Sequence, residues 1–71
     1  MRKSFSVWVE GSEVNNYWLT IDDAVRLADD YEDDGYDNIH ILENVNDYWL
    51  TIDEAVRLAE KYAAAPDGGV K

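Results

Sequence analysis

Apolar and polar residues alternate near the start of the chain. In "SFSVWVE", Phe5, Val7 and Val9 occupy one set of alternate positions, and Ser6 and Trp8 occupy the other. A period of two residues is typical of a β-strand with one buried face. The pattern predicts a strand over residues 4–10 whose phenylalanine and valines face the core.

The same alternation returns in "NIHIL". Ile39 and Ile41 are expected to face the core there, and His40 between them is expected to face outward. Two further segments, "VNNYWL" (14–19) and "VNDYWL" (45–50), are rich in aromatic and β-branched residues. Each is predicted to be either a strand or an irregular extended arm.

Two longer segments follow the period of a helix instead. Their apolar residues recur every three or four positions, with charged residues on the opposite arc. Thr20 with Asp23, and Thr51 with Glu54, have the spacing of a capping box, which predicts helices starting at residues 21 and 52. Gly35 is the expected left-handed residue after the first helix, and the second is expected to end near residue 64.

The chain contains an internal repeat. The segment "YWLTIDDAVRLADDY" (17–31) returns 31 positions later as "YWLTIDEAVRLAEKY" (48–62), with twelve of fifteen positions unchanged. One such unit could not cover its own hydrophobic face. We therefore expect one α+β domain over residues 1–71, built from two tandem copies of a strand–arm–helix unit (about 4–35 and 37–65). The order is ββαββα, or βαβα if the arms are irregular, with both helices on one face of a small sheet and a flexible tail at 66–71.

Length and composition limit how this fold can be stabilised. A chain of 71 residues is near the lower size at which one hydrophobic core suffices, and the absence of cysteine excludes disulfides. The remaining means are aromatic packing and self-association. With three Trp, five Tyr and one Phe, two of the three tryptophans are expected to be core residues, and a homodimer is predicted.

The net charge of −10, from sixteen acidic and six basic residues, restricts the partners. It disfavours nucleic acid and anionic membranes, and it favours either solubility alone or a basic partner. The apolar run at the start is short and alternating, which predicts neither a signal peptide nor a membrane span. The expected location is the cytoplasm.

The two copies differ mainly in charge. The first helix and its cap carry seven acidic residues against Arg26 alone, whereas the second carries three against Arg57 and Lys61. Acidic residues near the C-terminus of a helix oppose its macrodipole, and such locally unfavourable choices mark candidate functional surfaces. Trp8, on the outer side of its strand, is a candidate interface anchor. The predicted protein-binding residues are Asp22, Asp29, Asp30, Glu32, Asp33, Asp34, Asp37 and Trp8.

Catalytic and metal-binding motifs do not emerge from the sequence. The segment "DDYEDDGYDNIHI" spaces Asp30, Glu32 and Asp34 like an EF-hand loop, but Ile41 stands where a bidentate glutamate should close the calcium site. The single histidine has no partner for a metal, no nucleophile has a suitable base, and no glycine-rich phosphate loop precedes a helix. We therefore predict a protein that is not an enzyme and has no cofactor.

Two functions remain as hypotheses. The first is a small acidic inhibitor or adaptor that presents its first helix to a basic surface of another protein and mimics the charge of nucleic acid. In size, charge and lack of cysteine the chain resembles the small inhibitors that bacteriophages make against host proteins. The alternative is a structural module that forms a homodimer through strand edges or Trp8, with its charge serving solubility.

Overall fold

The computed structural model describes residues 3–64. Four strands form one antiparallel sheet in the order β2-β1-β3-β4, accompanied by two helices, which confirms the α+β class. The tail predicted at 66–71 lies outside the described residues. In chain order the elements are β1 (Phe5–Val9), β2 (Ser12–Glu13), α1 (Ile21–Asp33), β3 (Ile39–Glu43), β4 (Tyr48–Leu50) and α2 (Ile52–Ala64).

The first strands of the two halves form the centre of the sheet. β1 and β3 pair along their whole length, with Val7 opposite Ile41. The pairing continues past the end of β1, because the Glu10 N–H donates to the Asn38 carbonyl at 3.0 Å. Both central strands therefore have neighbours on each side, and the short strands β2 and β4 form the edges.

The core combines one set of alternate strand positions with residues of both helices. α1 packs against β1 and β3, and α2 packs against β3, β4 and α1. The prediction that residues 5, 7, 9 and 41 face the core is confirmed, and Ile39, predicted with them, is partly buried against the core. The buried hydrophobic residues are Phe5, Val7, Val9, Ile21, Ala24, Ala28, Ile41, Leu50 and Ala55.

The arm of the second half is a regular strand. β4 forms a hairpin with β3, in which Leu50 lies opposite Ile41 and Tyr48 lies opposite Glu43. Glu43 stabilises the intervening turn, because its carboxylate accepts hydrogen bonds from the backbone N–H groups of Val45 (3.3 Å) and Asn46 (2.9 Å). Burial raises the pKa of Glu43, but these hydrogen bonds outweigh burial and hold the pKa below its ordinary value.

The arm of the first half is mostly irregular. A two-residue turn at Glu10 and Gly11, with φ of 53° and 86°, leads into β2, which pairs with the end of β1. These positive φ values are those of a type I′ hairpin turn. The chain then leaves the sheet and returns at Leu19, which bridges to Phe5. The sequence left open whether the arms are strands. In the structure the second arm is a strand, and the first arm is mostly irregular.

An asparagine side chain completes the hydrogen bonding where the first arm is irregular. The N–H of the fully buried Val7 donates to Asn15 Oδ1 at 2.8 Å, and the Val7 carbonyl accepts from the Val14 N–H at 3.0 Å. Asn15 Nδ2 in turn donates to the Tyr17 carbonyl at 2.6 Å. The Asn15 side chain thus replaces a backbone carbonyl that a regular strand would supply.

Both predicted N-caps are confirmed. The Asp23 N–H donates to Thr20 Oγ1 at 3.2 Å. In α2 both halves of the capping box form: the Glu54 N–H donates to Thr51 Oγ1 at 3.1 Å, and the Thr51 N–H donates to Glu54 Oε1 at 2.9 Å. The glutamate is one methylene longer than aspartate, which lets its carboxylate reach back to the capping residue.

The predicted glycine stop of α1 is also confirmed. Gly35 has a φ of 95°, its N–H donates to the Glu32 carbonyl at 3.0 Å, and the Tyr36 N–H donates to the Tyr31 carbonyl at 3.1 Å. This pair of hydrogen bonds is a Schellman motif. The rings of Tyr31 and Tyr36 pack edge to face with centroids 5.3 Å apart, which supplies the hydrophobic contact that accompanies the motif.

Candidate functional site

The outer side of α1 carries a row of carboxylates. Asp22, Asp29 and Asp33 are spaced at close to whole helical turns, so they lie along one line, and Asp30 lies beside them. All four are exposed, whereas Ile21, Ala24 and Ala28 of the same helix are buried. We call Asp22, Asp29, Asp30 and Asp33 the acidic helix surface.

The two ends of α1 differ in how well they tolerate this charge. Asp22 and Asp23 lie in the first turn, where the positive end of the helix dipole stabilises carboxylates. The last turn contains no basic residue, and Asp34 is the C-cap. In α2 the last turn contains Lys61 instead. The unfavourable interaction between carboxylates and the helix dipole is therefore concentrated at the C-terminal end of α1.

Two residues of the predicted acidic set lie elsewhere. Glu32 and Asp37 line an open cleft of about 420 Å³ between the end of α1 and the beginning of α2, together with His40 and Asp53. These two residues therefore belong to the cleft and are separate from the row on the outer side of α1. The sequence predicted one acidic surface, and the structure divides its members between two places.

Trp8 belongs to a third region, on the sheet face opposite the core. Trp8 lies opposite His40 in the sheet, and Leu42 lies opposite Trp49. These positions alternate with core residues of the same strands, so their side chains point away from the core. Trp18 directly precedes Leu19, which pairs with Phe5 and packs against the core, so the alternation of an extended backbone places Trp18 on the outer side as well. We call Trp8, Trp18, His40, Leu42 and Trp49 the tryptophan face.

The prediction that two of the three tryptophans are core residues is wrong. Trp18 is 48% exposed and Trp49 is 51% exposed, while Trp8 is partly buried. In "YWL" the leucine takes the core position, because Leu50 is 5% exposed. The alternation of an extended segment places the preceding tryptophan on the other face, and this signal was present in the sequence.

Aromatic packing orders part of the tryptophan face. The rings of Trp8 and Trp49 meet edge to face, with centroids 5.7 Å apart and planes at 72°. The ring of His40 meets Trp49 in the same way at 6.4 Å and 88°. Edge-to-face packing is the favoured geometry for such rings. Trp49 thus bridges the two central strands from its position on the edge strand.

A buried polar network supports the tryptophan face from beneath. Ser6 is fully buried, and its Oγ accepts hydrogen bonds from Trp8 Nε1 at 3.3 Å and from Asn44 Nδ2 at 3.1 Å. Asn44 Nδ2 also lies 3.0 Å from the Ser4 carbonyl. Among residues 3–64, no buried side-chain nitrogen or oxygen lacks a partner. The alternating pattern places Ser6 on the outer side of β1 and does not predict the network.

Two further features concern metal binding and membrane insertion in the part of the chain that the structure describes. There, no group of three or more His, Asp or Glu side chains is arranged to hold a metal ion. Within the same residues, neither helix combines the length and the apolar character that crossing a membrane requires. The described surfaces are therefore an acidic row, an open cleft and an aromatic sheet face.

Comparison with known proteins adds no relative. No family model, curated protein sequence or solved structure matches the chain. Functional inference therefore depends on the surfaces themselves.

Proposed function

We propose that the protein is a small, non-enzymatic binding protein that presents the acidic helix surface to a basic surface of another protein. The observation that supports this proposal is the contrast between two nearly identical helices. α1 carries exposed carboxylates to its very end, without a basic residue in its last turn, whereas α2 has Lys61 there. Solubility alone would not require the acidic residues to be concentrated where they oppose the helix dipole.

A row of carboxylates on a rigid helix suits a partner that normally binds nucleic acid. Such partners carry Lys and Arg side chains arranged to neutralise regularly spaced phosphates. Exposed charges of one sign also accelerate the approach of an oppositely charged partner. The proposed role is that of an inhibitor or adaptor that occupies a basic surface. The cytoplasm is the proposed setting, in keeping with a sequence without cysteine.

Presentation of the acidic helix surface depends on how the two halves of the chain are arranged. We take them to be tandem copies with both helices on one face of the sheet, which leaves the outer side of α1 open to a partner. The packing of α1 against β1 and β3, and of α2 against β3 and β4, supports this arrangement. The contact between α1 and α2 supports it as well.

The alternative function is a structural module whose charge serves solubility. The exposed tryptophan face favours self-assembly of this kind. Dependence on salt distinguishes the two functions. Binding through the acidic helix surface should weaken steeply as ionic strength rises, whereas an aromatic interface should hardly change.

Repeat-equivalent substitutions test the proposal. Asp22→Asn with Asp29→Asn neutralises two exposed carboxylates of α1, and Asp53→Asn with Glu60→Gln neutralises those at the corresponding positions of α2. Each variant removes the same charge from the same helical positions. Immobilised protein is used to capture basic proteins from a bacterial lysate at low salt, and elution is followed as salt increases.

We expect the α1 variant to lose captured protein at a lower salt concentration than the parent, and the α2 variant to behave like the parent. Equal losses in both variants would mean that net charge alone drives capture. Binding by the acidic helix surface would be contradicted if the α1 variant released captured protein at the same salt concentration as the parent, or if release did not depend on salt.

A further inference from the structure

The tryptophan face is an uncovered aromatic surface on a very small protein. All three tryptophans of the chain lie on it, and Trp18 and Trp49 each expose about half of their surface. A contiguous group of exposed aromatic side chains on a soluble domain marks an interaction surface.

The charge distribution indicates which partner fits this surface. The five residues of the tryptophan face include no carboxylate, and Glu13, opposite Trp8 at the sheet edge, is the acidic residue in register with it. A basic partner would gain little there, since the carboxylates of α1 lie on the other side of the core. A second acidic chain is repelled from the helix side, but it can approach the tryptophan face.

We propose that a second copy of this chain covers the tryptophan face, so that two sheets pack face to face with their helices on the outside. In this arrangement each acidic helix surface is separated from the interface by at least the diameter of a helix, about 10–12 Å. That distance exceeds the Debye length of about 8 Å at physiological ionic strength, so repulsion between the two copies is largely screened. The aromatic contact then outweighs the residual repulsion.

The size of the surface sets the strength of the dimer. A tryptophan that is half exposed offers roughly 100 Å² for burial. Two such residues, with the partly exposed Trp8, His40 and Leu42, amount to about 300–400 Å² per copy, or 600–800 Å² in the pair. Stable interfaces bury about 1,200 Å² or more. The dimer should therefore be weak, with a Kd on the order of 10–100 μM.

Dimerisation of this kind would be compatible with the proposed function and would make binding bivalent. Each dimer would carry two acidic helix surfaces on opposite outer sides, so it could bind two basic partners or two sites on one partner. Bivalent binding raises the effective affinity even when each single contact is weak.

Tryptophan fluorescence gives a direct test, because every tryptophan lies on the proposed interface. Emission spectra and sedimentation equilibrium are recorded for the parent from about 1 μM to about 1 mM, a range that brackets the expected Kd. The variants are Trp49→Gln, Trp18→Gln and, as a control, Tyr62→Gln, whose tyrosine is 45% exposed on α2. Circular dichroism and thermal melting check that each variant is folded. Trp18→Gln keeps the test decisive if Trp49→Gln disturbs β4.

The expected result is a parent that dimerises with a shift of tryptophan emission to shorter wavelength, and a Tyr62→Gln variant that does the same. Each tryptophan variant should raise the Kd of dimerisation by about tenfold or more. Added salt should leave the dimer unchanged or strengthen it, whereas capture of a basic protein should weaken. Failure of one proposal is thereby distinguishable from failure of the other.

Three outcomes would overturn the dimer. A monomer at every concentration would mean that no second copy covers the face. A dimer that persists in both tryptophan variants would place the interface elsewhere, for example at the edge strands. A dimer whose tryptophan emission does not change would mean that the rings remain in water.

Discussion

The two helices are nearly identical in sequence, yet they occupy unequal positions in the molecule. Ile21 of α1 is fully buried, whereas Ile52 at the equivalent position of α2 is only partly buried. Ala28 and Ala59 differ in the same way. α1 packs over the two central strands, and α2 packs over β3 and the edge strand β4. The depth of burial is thus set by the place of a helix on the sheet, and the same residues contribute unequally to stability.

The halves differ a second time in how the arm returns to the sheet. The second half makes a regular hairpin, and the first half makes an irregular excursion in which Asn15 bonds the buried Val7 N–H. The irregular arm depends on one side chain, whereas the hairpin depends on its backbone ladder. A substitution in the first arm should therefore destabilise the fold more than its counterpart in the second arm.

The largest expected effect comes from comparing the equivalent isoleucines. Ile21→Ala should destabilise the fold by about 3 kcal/mol, within the range for deleting a fully buried isoleucine side chain. Ile52→Ala should cost roughly half as much, because Ile52 is already partly in contact with water. Urea denaturation of both variants measures the difference. Equal losses would contradict the unequal burial of the two helices.

The next effect concerns the irregular arm. Asn15→Ala leaves the N–H of the buried Val7 without its acceptor, which should cost about 1–3 kcal/mol. Its counterpart Asn46 bonds Glu43 in an exposed turn, so Asn46→Ala should cost about 0.5–1 kcal/mol. Thermal melting distinguishes the two variants. A larger loss at the second arm would mean that water replaces the Asn15 acceptor without cost.

The helix caps should give a smaller difference. Thr20→Ala and Thr51→Ala should each cost about 1 kcal/mol, with Thr51→Ala at the upper end because both halves of its capping box form. Glu54→Ala removes one half of that box and should cost part of the Thr51→Ala effect. Denaturation midpoints equal to that of the parent would remove the capping role.

The smallest effect on stability has the opposite sign. Asp30→Lys with Asp33→Ala gives α1 the residues that α2 has at the corresponding positions, Lys61 and Ala64. The variant should be more stable by about 0.5–1 kcal/mol, because the acidic residues no longer oppose the helix dipole. It should also lose its basic partner. A variant that melts higher and still retains the partner at moderate salt would assign the charge to solubility.

The sequence by itself determined the local structure. Alternation in "SFSVWVE" and "NIHIL" located β1 and β3 and their buried residues. The side chains of a strand alternate between two faces, so the apolar set of alternate positions is the one that faces the core. The Thr caps and Gly35 set the helix ends through hydrogen bonds between residues a few positions apart. The acidic helix surface could also be predicted from the sequence, since helical spacing alone places Asp22, Asp29 and Asp33 on one line.

Only the tertiary structure decided what involves partners distant in the chain. The inequality of Ile21 and Ile52 arises from the strand order, which no local pattern encodes. In the first arm the Asn15 side chain, and not a backbone carbonyl, reaches the Val7 N–H, whereas the second arm pairs with β3 through its backbone. The alternation in "YWL" already placed Trp18 and Trp49 opposite the inward-facing leucines, but their exposure depends on whether other parts of the molecule cover that face, which a local pattern does not encode.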